Sequence, residues 1–222
     1  MNDLSLTILP ETPDDALAIE RLHERTFGPG RYARTAFRIR EGAAHRLDLS
    51  YTARIGTLLV GSVRLTPVRI GETPALLLGP LTIEPPFRRR GIGLALMQHA
   101  LADAKAGGQR LVVLVGDEPY YAKAGFKRIP KGRARMPGPV DPRRLLVAEL
   151  AEGAFEVAAN EAGAREEVRE GRPRACLALV ELCPHEARHH DVAGKEQAEI
   201  AGGRLCRGRE RDEKCGGRNY KK

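Results

Sequence analysis

Tryptophan is absent from this 222-residue chain, and phenylalanine and tyrosine together supply only 5% of it. A core built from it must be aliphatic. Aromatics interleaved with basic residues, the usual mark of a nucleic-acid surface, are missing, and no helix-turn-helix or similar motif occurs. Cysteine is missing from the first 175 residues, and all four lie late, at Cys176, Cys183, Cys206 and Cys215. The body can hold neither a disulfide nor a thiolate nucleophile. The late cysteines stand 7, 23 and 9 residues apart with no Cys-x-x-Cys pair. His185, His189 and His190 do not complete a zinc spacing, so no metal site is expected. No apolar run approaches the roughly 20 residues of a membrane span, and Met1–Pro10 has no basic leader. A cytoplasmic protein without a membrane partner is the expectation. The chain has no Gly-x-x-x-x-Gly-Lys, which excludes a nucleoside triphosphatase loop, and no Gly-x-Ser-x-Gly, which excludes a nucleophile elbow.

Positive charge is what the chain has in excess. The net charge is +8, and the first 150 residues carry all of it, with 23 basic and 15 acidic side chains against 14 of each afterwards. A basic body suits a polyanionic ligand such as nucleic acid, a membrane surface or a phosphorylated cofactor; it also suits a plain solvated surface.

Residue patterns divide the body into alternating elements. Leu4–Ile8 alternates like a strand. Thr12-Pro13-Asp14-Asp15 is a helix start, with a Thr cap, Pro at the first turn and acids at the positive end. Ala16, Ile19, Leu22 and Phe27 give its apolar stripe, and Gly28-Pro29-Gly30 ends it. Tyr32–Glu41 predicts a second, shorter helix. Ser50–Ile55, Thr57–Ile70 and Ala75–Ile83 read as three strands of an antiparallel meander. After Pro85-Pro86 the period changes, and Gly91–Ala106 predicts a helix of about four turns. Leu111–Val115 is a continuous apolar strand, the kind buried on both faces. Glu118–Ala124 reads as a short helix, and Phe126–Ile129 and Arg144–Leu150 as the last strands.

Arg88-Arg89-Arg90-Gly91-Ile92-Gly93 lies between a predicted strand and a predicted helix. The first backbone N–H groups of a helix have no acceptor within it, and the helix dipole favours an anion there. Glycines bring those N–H groups close to a ligand, and a pyrophosphate fits. A dinucleotide fingerprint would need glycine where Leu96 stands and an acid near Val113, and both fail.

Arg88, Gly91 and Gly93 after an antiparallel strand resemble the acetyl-coenzyme A motif of the GNAT superfamily of N-acetyltransferases. A second family motif, Tyr-x-x-x-Gly-Phe after a strand and short helix, is matched by Tyr121-Ala122-Lys123-Ala124-Gly125-Phe126. Leu114-Val115-Gly116-Asp117-Glu118-Pro119-Tyr120-Tyr121 further resembles a YhbS-like subgroup of predicted bacterial acetyltransferases, with Pro119 one residue later than in that subgroup. The resemblance covers roughly residues 4–155. It implies an α/β fold with a mixed, mostly antiparallel central sheet flanked by helices. The domain would span 1–155, and 156–222, poor in apolar surface, would be a largely disordered extension of low order. Within that extension, Ala175–Leu182 alone is apolar enough for a strand or a turn of helix.

The resemblance also implies a mechanism. The backbone of Leu81, Thr82 and Ile83 would pair with the pantetheine arm, and an N–H there would face the thioester oxygen. Arg89–Gly93, including Arg90, Gly91 and Ile92, would hold the pyrophosphate, with Arg88 as a side-chain contact. An acetyl group would pass from acetyl-coenzyme A to a primary amine by direct attack, with Tyr121 as general acid. Tyr120 is expected to pack in the core. A general base is not evident, since Leu77 is apolar where histone-acetylating members carry glutamate; Glu84, Asp117 and Glu118 are the nearby acids. Gly28–Arg40 would form much of the acceptor site, with no informative charged constellation visible. Acceptor and acyl length stay open, and a homodimer is the default assembly. A non-catalytic coenzyme A sensor and a basic nucleic-acid-binding module are the alternatives.

Overall fold

A computed structural model describes residues 5–40, 43–160 and 178–182. They fall within one unit of the chain, Met1–Arg188. The late cysteines and most of the expected extension lie outside the described residues.

Strand β1 (Leu6–Pro10) leads into a capped turn, where the Thr12 N–H and hydroxyl both donate to the Asp15 carboxylate at 2.9 Å. Helix α1 (Ala16–Phe27) follows and stops at Gly28, whose φ of +63° turns the chain out of the helix. The expected second helix is broken into a 3₁₀ turn, Pro29–Ala33, and the single turn α2 (Thr35–Arg38). Three long strands come next: β2 (Tyr51–Ile55), β3 (Leu58–Ile70) and β4 (Thr73–Ile83). They pair antiparallel as a meander. Then come α3 (Ile92–Ala106), β5 (Leu111–Val115) and the short α4 (Glu118–Tyr121). The remaining strands are β6 (Lys127–Arg128), β7 (Ala134–Arg135), β8 (Leu145–Glu149) and β9 (Ala178–Leu182).

The strand order is β1-β2-β3-β4-β5-β8-β6, with β9 joined to β3 and β7. β4 and β5 pair parallel within an otherwise mostly antiparallel sheet, because α3 carries the chain back across it. The mixed, mostly antiparallel architecture expected from the sequence is present. α3 presents Ile92, Leu96, Met97, Ala100 and Ala104 to a core that includes Val63, Leu65, Leu76 and Leu78. Leu96 and Met97 are fully buried, each stabilising the fold by roughly 1.5–3 kcal/mol through burial. A second cluster joins Val68, Leu77, Val113 and Val147 to Ile39, Phe155, Ala158 and Ala159. Residues 154–160 are helical, so the boundary expected at 155 falls inside a packed helix. The apolar run near 175–182 supplies β9, which pairs with Val68–Ile70 of β3.

Candidate active site

Although β4 and β5 are neighbours, their ladder holds only Leu76 with Val112 and Leu77 with Val113. β4 runs on to Ile83 and β5 to Val115. Beyond Leu77 the edge of β4 that faced β5 has no strand partner among the described residues. A bulge sits where they part. Leu65 faces Leu78 and Val63 faces Leu81, so β4 has one residue more than β3 across that interval. Gly79 lies in the bulge with φ of +126°, which glycine alone adopts without strain. Leu81, Thr82 and Ile83 pair with Val63, Ser62 and Gly61 of β3 on one edge, and the other edge has no strand partner among the described residues.

The N-terminus of α3 adjoins this stretch. Gly91 caps the helix with φ of +80° and carries no side chain to cover it. The first helical bond runs from the Ala95 N–H to the Gly91 carbonyl at 3.0 Å. The N–H groups of Ile92, Gly93 and Leu94 therefore have no acceptor within the helix. Arg89 also sits at positive φ, +63°, so a residue of positive φ stands on each side of Arg90. Arg88, Arg89 and Arg90 are exposed, with Arg88 Nε 3.4 Å from the Ile83 carbonyl and Arg90 5.3 Å above the Phe87 ring.

Tyr120 does not take its expected place in the core, and Tyr121 borders the cavity described below. Tyr120, expected in the core, is 40% exposed, and a Cβ at Gly93 would overlap its hydroxyl. Tyr121 is the packed one, its ring 6.1 Å from Phe126 and so close over Gly116 that a Cβ there would overlap it. Successive residues on one helical turn point about 100° apart, so only one of them can face the sheet. Burial pushes the Tyr121 phenol up to about 12, Tyr120 and Asp117 add to the shift, and Arg144 and Arg40 oppose it. It is protonated at neutral pH.

Tyr121 and Leu81 share the wall of a cavity of about 510 Å³. Phe27, Phe37 and Val140 give the cavity apolar walls, and Arg31, Arg34, Arg40 and Arg144 bring positive charge. Asp117 and Asp141 also line it, the first 3.2 Å from Arg144 and the second 2.9 Å from Arg143. Thr35 fastens one wall, donating to the Pro139 carbonyl at 2.8 Å. His23 lines the cavity too, and burial, reinforced by Arg64, pulls it down to about 4, against the pull of Glu20. It is neutral at pH 7. Each acid considered as a base is held by an arginine: Glu84 by Arg25, Asp117 by Arg144 and Glu118 by Arg128. Leu77 is fully buried. Sequence reasoning missed the arginine cluster, whose outermost members, Arg31 and Arg144, are 113 residues apart. It missed His23 as well, although His23 lies beside Leu22 on the buried stripe of α1.

A sheet that opens beside a bare helix N-terminus defines a class of α/β domain, and comparison with known proteins gives the class its name. Residues 48–128 match the family model described as an acetyltransferase (GNAT) domain. No curated protein matches the sequence. Among solved structures, the GNAT family N-acetyltransferase YhbS from Escherichia coli, in complex with CoA, is 23% identical, with a TM-score of 0.63; the match covers 82% of this chain and 92% of that one. A GNAT family acetyltransferase from Brucella melitensis, in complex with acetyl-CoA, is 28% identical over 68% of this chain and 99% of that one, with a TM-score of 0.49. Residues 48–128 thus match a GNAT acetyltransferase domain, and the Escherichia coli structure shares the fold of the chain. No helix among the described residues is long and apolar enough to cross a membrane.

Proposed function

We propose that this protein transfers an acetyl group from acetyl-coenzyme A to a primary amine. The observation that carries the reading is the bare N-terminus of α3 next to the unpaired edge of β4. The N–H groups of Arg89–Gly93 would hold the pyrophosphate, and the exposed Arg88, Arg89 and Arg90 would draw it in. Leu81, Thr82 and Ile83 would pair with the pantetheine amides as an added strand. An N–H of that segment would then stabilise the oxyanion.

The chemistry is direct. The amine nitrogen attacks the thioester carbon, a C–N bond forms, and the C–S bond breaks as the tetrahedral intermediate collapses. The thiolate takes a proton from Tyr121, the amine gives one up to solvent, solvent returns a proton to the Tyr121 phenolate, and the products are an amide and coenzyme A. Arg144, which favours the phenolate of Tyr121, would stabilise it after donation.

Calorimetric titration of acetyl-coenzyme A tests the reading in wild type, Gly91→Glu and Gly108→Glu. Both glycines have positive φ, +80° and +76°, and open space where a side chain would go. The backbone strain is matched, but only Gly91→Glu puts a carboxylate where the pyrophosphate would sit. Binding lost in Gly91→Glu and kept in Gly108→Glu is the expected result. No binding by folded wild type would refute the assignment.

A further inference from the structure

Of the arginines around the cavity, Arg40 stands in an unusual position. Arg31 has a buried Nε without a hydrogen-bond partner but is charge-paired with Glu20 at 2.5 Å, and Arg144 is paired with Asp117 at 3.2 Å. Arg34 is exposed and stacks 5.5 Å over the Phe27 ring. Arg40 is mostly enclosed, its Nε is buried without a hydrogen-bond partner, and no carboxylate among the described residues pairs with it. Its Nη2 lies against Gly79, 2.8 Å from where a Cβ would stand. Arg40 therefore sits at the bulge where β4 leaves β5, on the same cavity wall as Leu81 and Tyr121. An enclosed guanidinium without a counter-charge is expensive. Burial pulls it down to about 10, which still leaves it charged at neutral pH.

We propose that Arg40 is the anchor for a carboxylate on the acceptor, and that the acceptor class is a small apolar amino acid or similar amine-carboxylate. This rests on the acetyltransferase reading above. A carboxylate entering the cavity would complete a charge-assisted, bidentate pair with the fork of Arg40. The apolar body would lie on Phe27, Phe37 and Val140. The amine would be held beside the open edge of β4, where the thioester is expected. The same cationic wall addresses the missing base. Positive charge close by disfavours the ammonium form of the acceptor, so the attacking amine loses its proton more readily there. It also repels polyamines and lysine-rich peptide tails, the acceptors that an acidic cavity would select.

The test uses the full chain, acetyl-coenzyme A and three matched acceptors: phenylalanine, phenylalaninamide and phenethylamine, followed by release of free thiol. Wild type should favour phenylalanine at least tenfold in kcat/KM. Arg40→Gln should abolish that preference through KM, and Arg40→Lys should restore part of it. Equal use of all three acceptors by wild type overturns the proposal. So does a loss in Arg40→Gln that is equal for all acceptors and carried by kcat, which would place Arg40 on Tyr121 instead. If none of the three turns over, titration of N-acetylphenylalanine into the coenzyme A-loaded protein decides. Binding that weakens tenfold or more in Arg40→Gln supports the anchor, and no binding by wild type overturns it. Failure of the acetyltransferase reading is separately visible, as loss of acetyl-coenzyme A binding with no acceptor present.

Discussion

Replacing Glu11 with glutamine should remove one of the strongest polar ties in the fold. The Glu11 side chain is only 1% exposed. Arg64 donates to it from Nε at 2.9 and 3.0 Å and from Nη2 at 2.5 Å, and His45 Nε2 lies 3.0 Å away. Burial alone would raise this carboxyl, but the hydrogen bonds from His45 and Arg64 outweigh it and hold it below its ordinary value of 4.5. Glutamine keeps the volume but turns an amide N–H₂ towards those donors and leaves Arg64 uncompensated. Breaking a buried pair from one side costs ~3–5 kcal/mol. Arg64 retains 17% exposure, so the lower end applies, about 3 kcal/mol. For a domain of this size that is a fall of about 6–12 °C in Tm. Urea unfolding at pH 7 should show a lower midpoint with unchanged slope. Acidity gives a second reading. A carboxyl lowered by folding adds stability above its unfolded pKa, and the gain is lost as pH falls through the folded value. The gap between wild type and Glu11→Gln should therefore narrow below about pH 4.5. A variant within 1 kcal/mol of wild type at pH 7, or a gap constant down to pH 3, would refute the reasoning.

Gly116→Ala should cost about 1–3 kcal/mol by overpacking, because the new methyl meets the Tyr121 ring and, at 3.0 Å, Leu114 Cδ1. With no tryptophan present, near-UV circular dichroism reads the displaced tyrosine directly. Turnover of any accepted amine should fall ~100-fold as the phenol is misplaced by about 1 Å, and unchanged signal and rate would show that Tyr121 can move aside freely. Arg89→Gly should be more stable than Arg89→Ala by about 0.5–1 kcal/mol, since alanine keeps the left-handed strain and glycine relieves it at some entropic cost. Equal unfolding midpoints would contradict the positive φ at Arg89.

Most elements were legible because the body follows simple periods. Leu111–Val115 is a strand from end to end, as its unbroken apolar run requires, and α3 begins one residue after the expected Gly91. The glycine turn ahead of α3 was legible for the same local reason, since glycines and a helix start are adjacent in sequence. The arginine cavity was not, because Arg31, Arg40 and Arg144 meet only through the bulge at Gly79 and the loop that Thr35 fastens at Pro139. The expectation that Tyr120 packs in the core failed differently. Tyr120 and Tyr121 are chemically alike and adjacent, and the decision between them comes from Gly116, which makes room for one ring only. Residues 154–160 looked too polar to pack, yet Phe155, Ala158 and Ala159 are spaced to bury one narrow side.

The long β3 has a further consequence for anyone trimming this protein. β2 covers only Leu58–Val63 of that strand, and β9 covers Val68–Ile70. A shortened version ending at residue 160 would keep the helix that buries Ala158 and Ala159, the glycine turn, the bulge and the cavity, but would strip the outer rim of Val68-Arg69-Ile70. Such a bare rim is an invitation for a strand from a neighbouring molecule, with Arg69 as its one deterrent. The loss would show first as clumping in the tube, while the chemistry of each surviving monomer stayed intact.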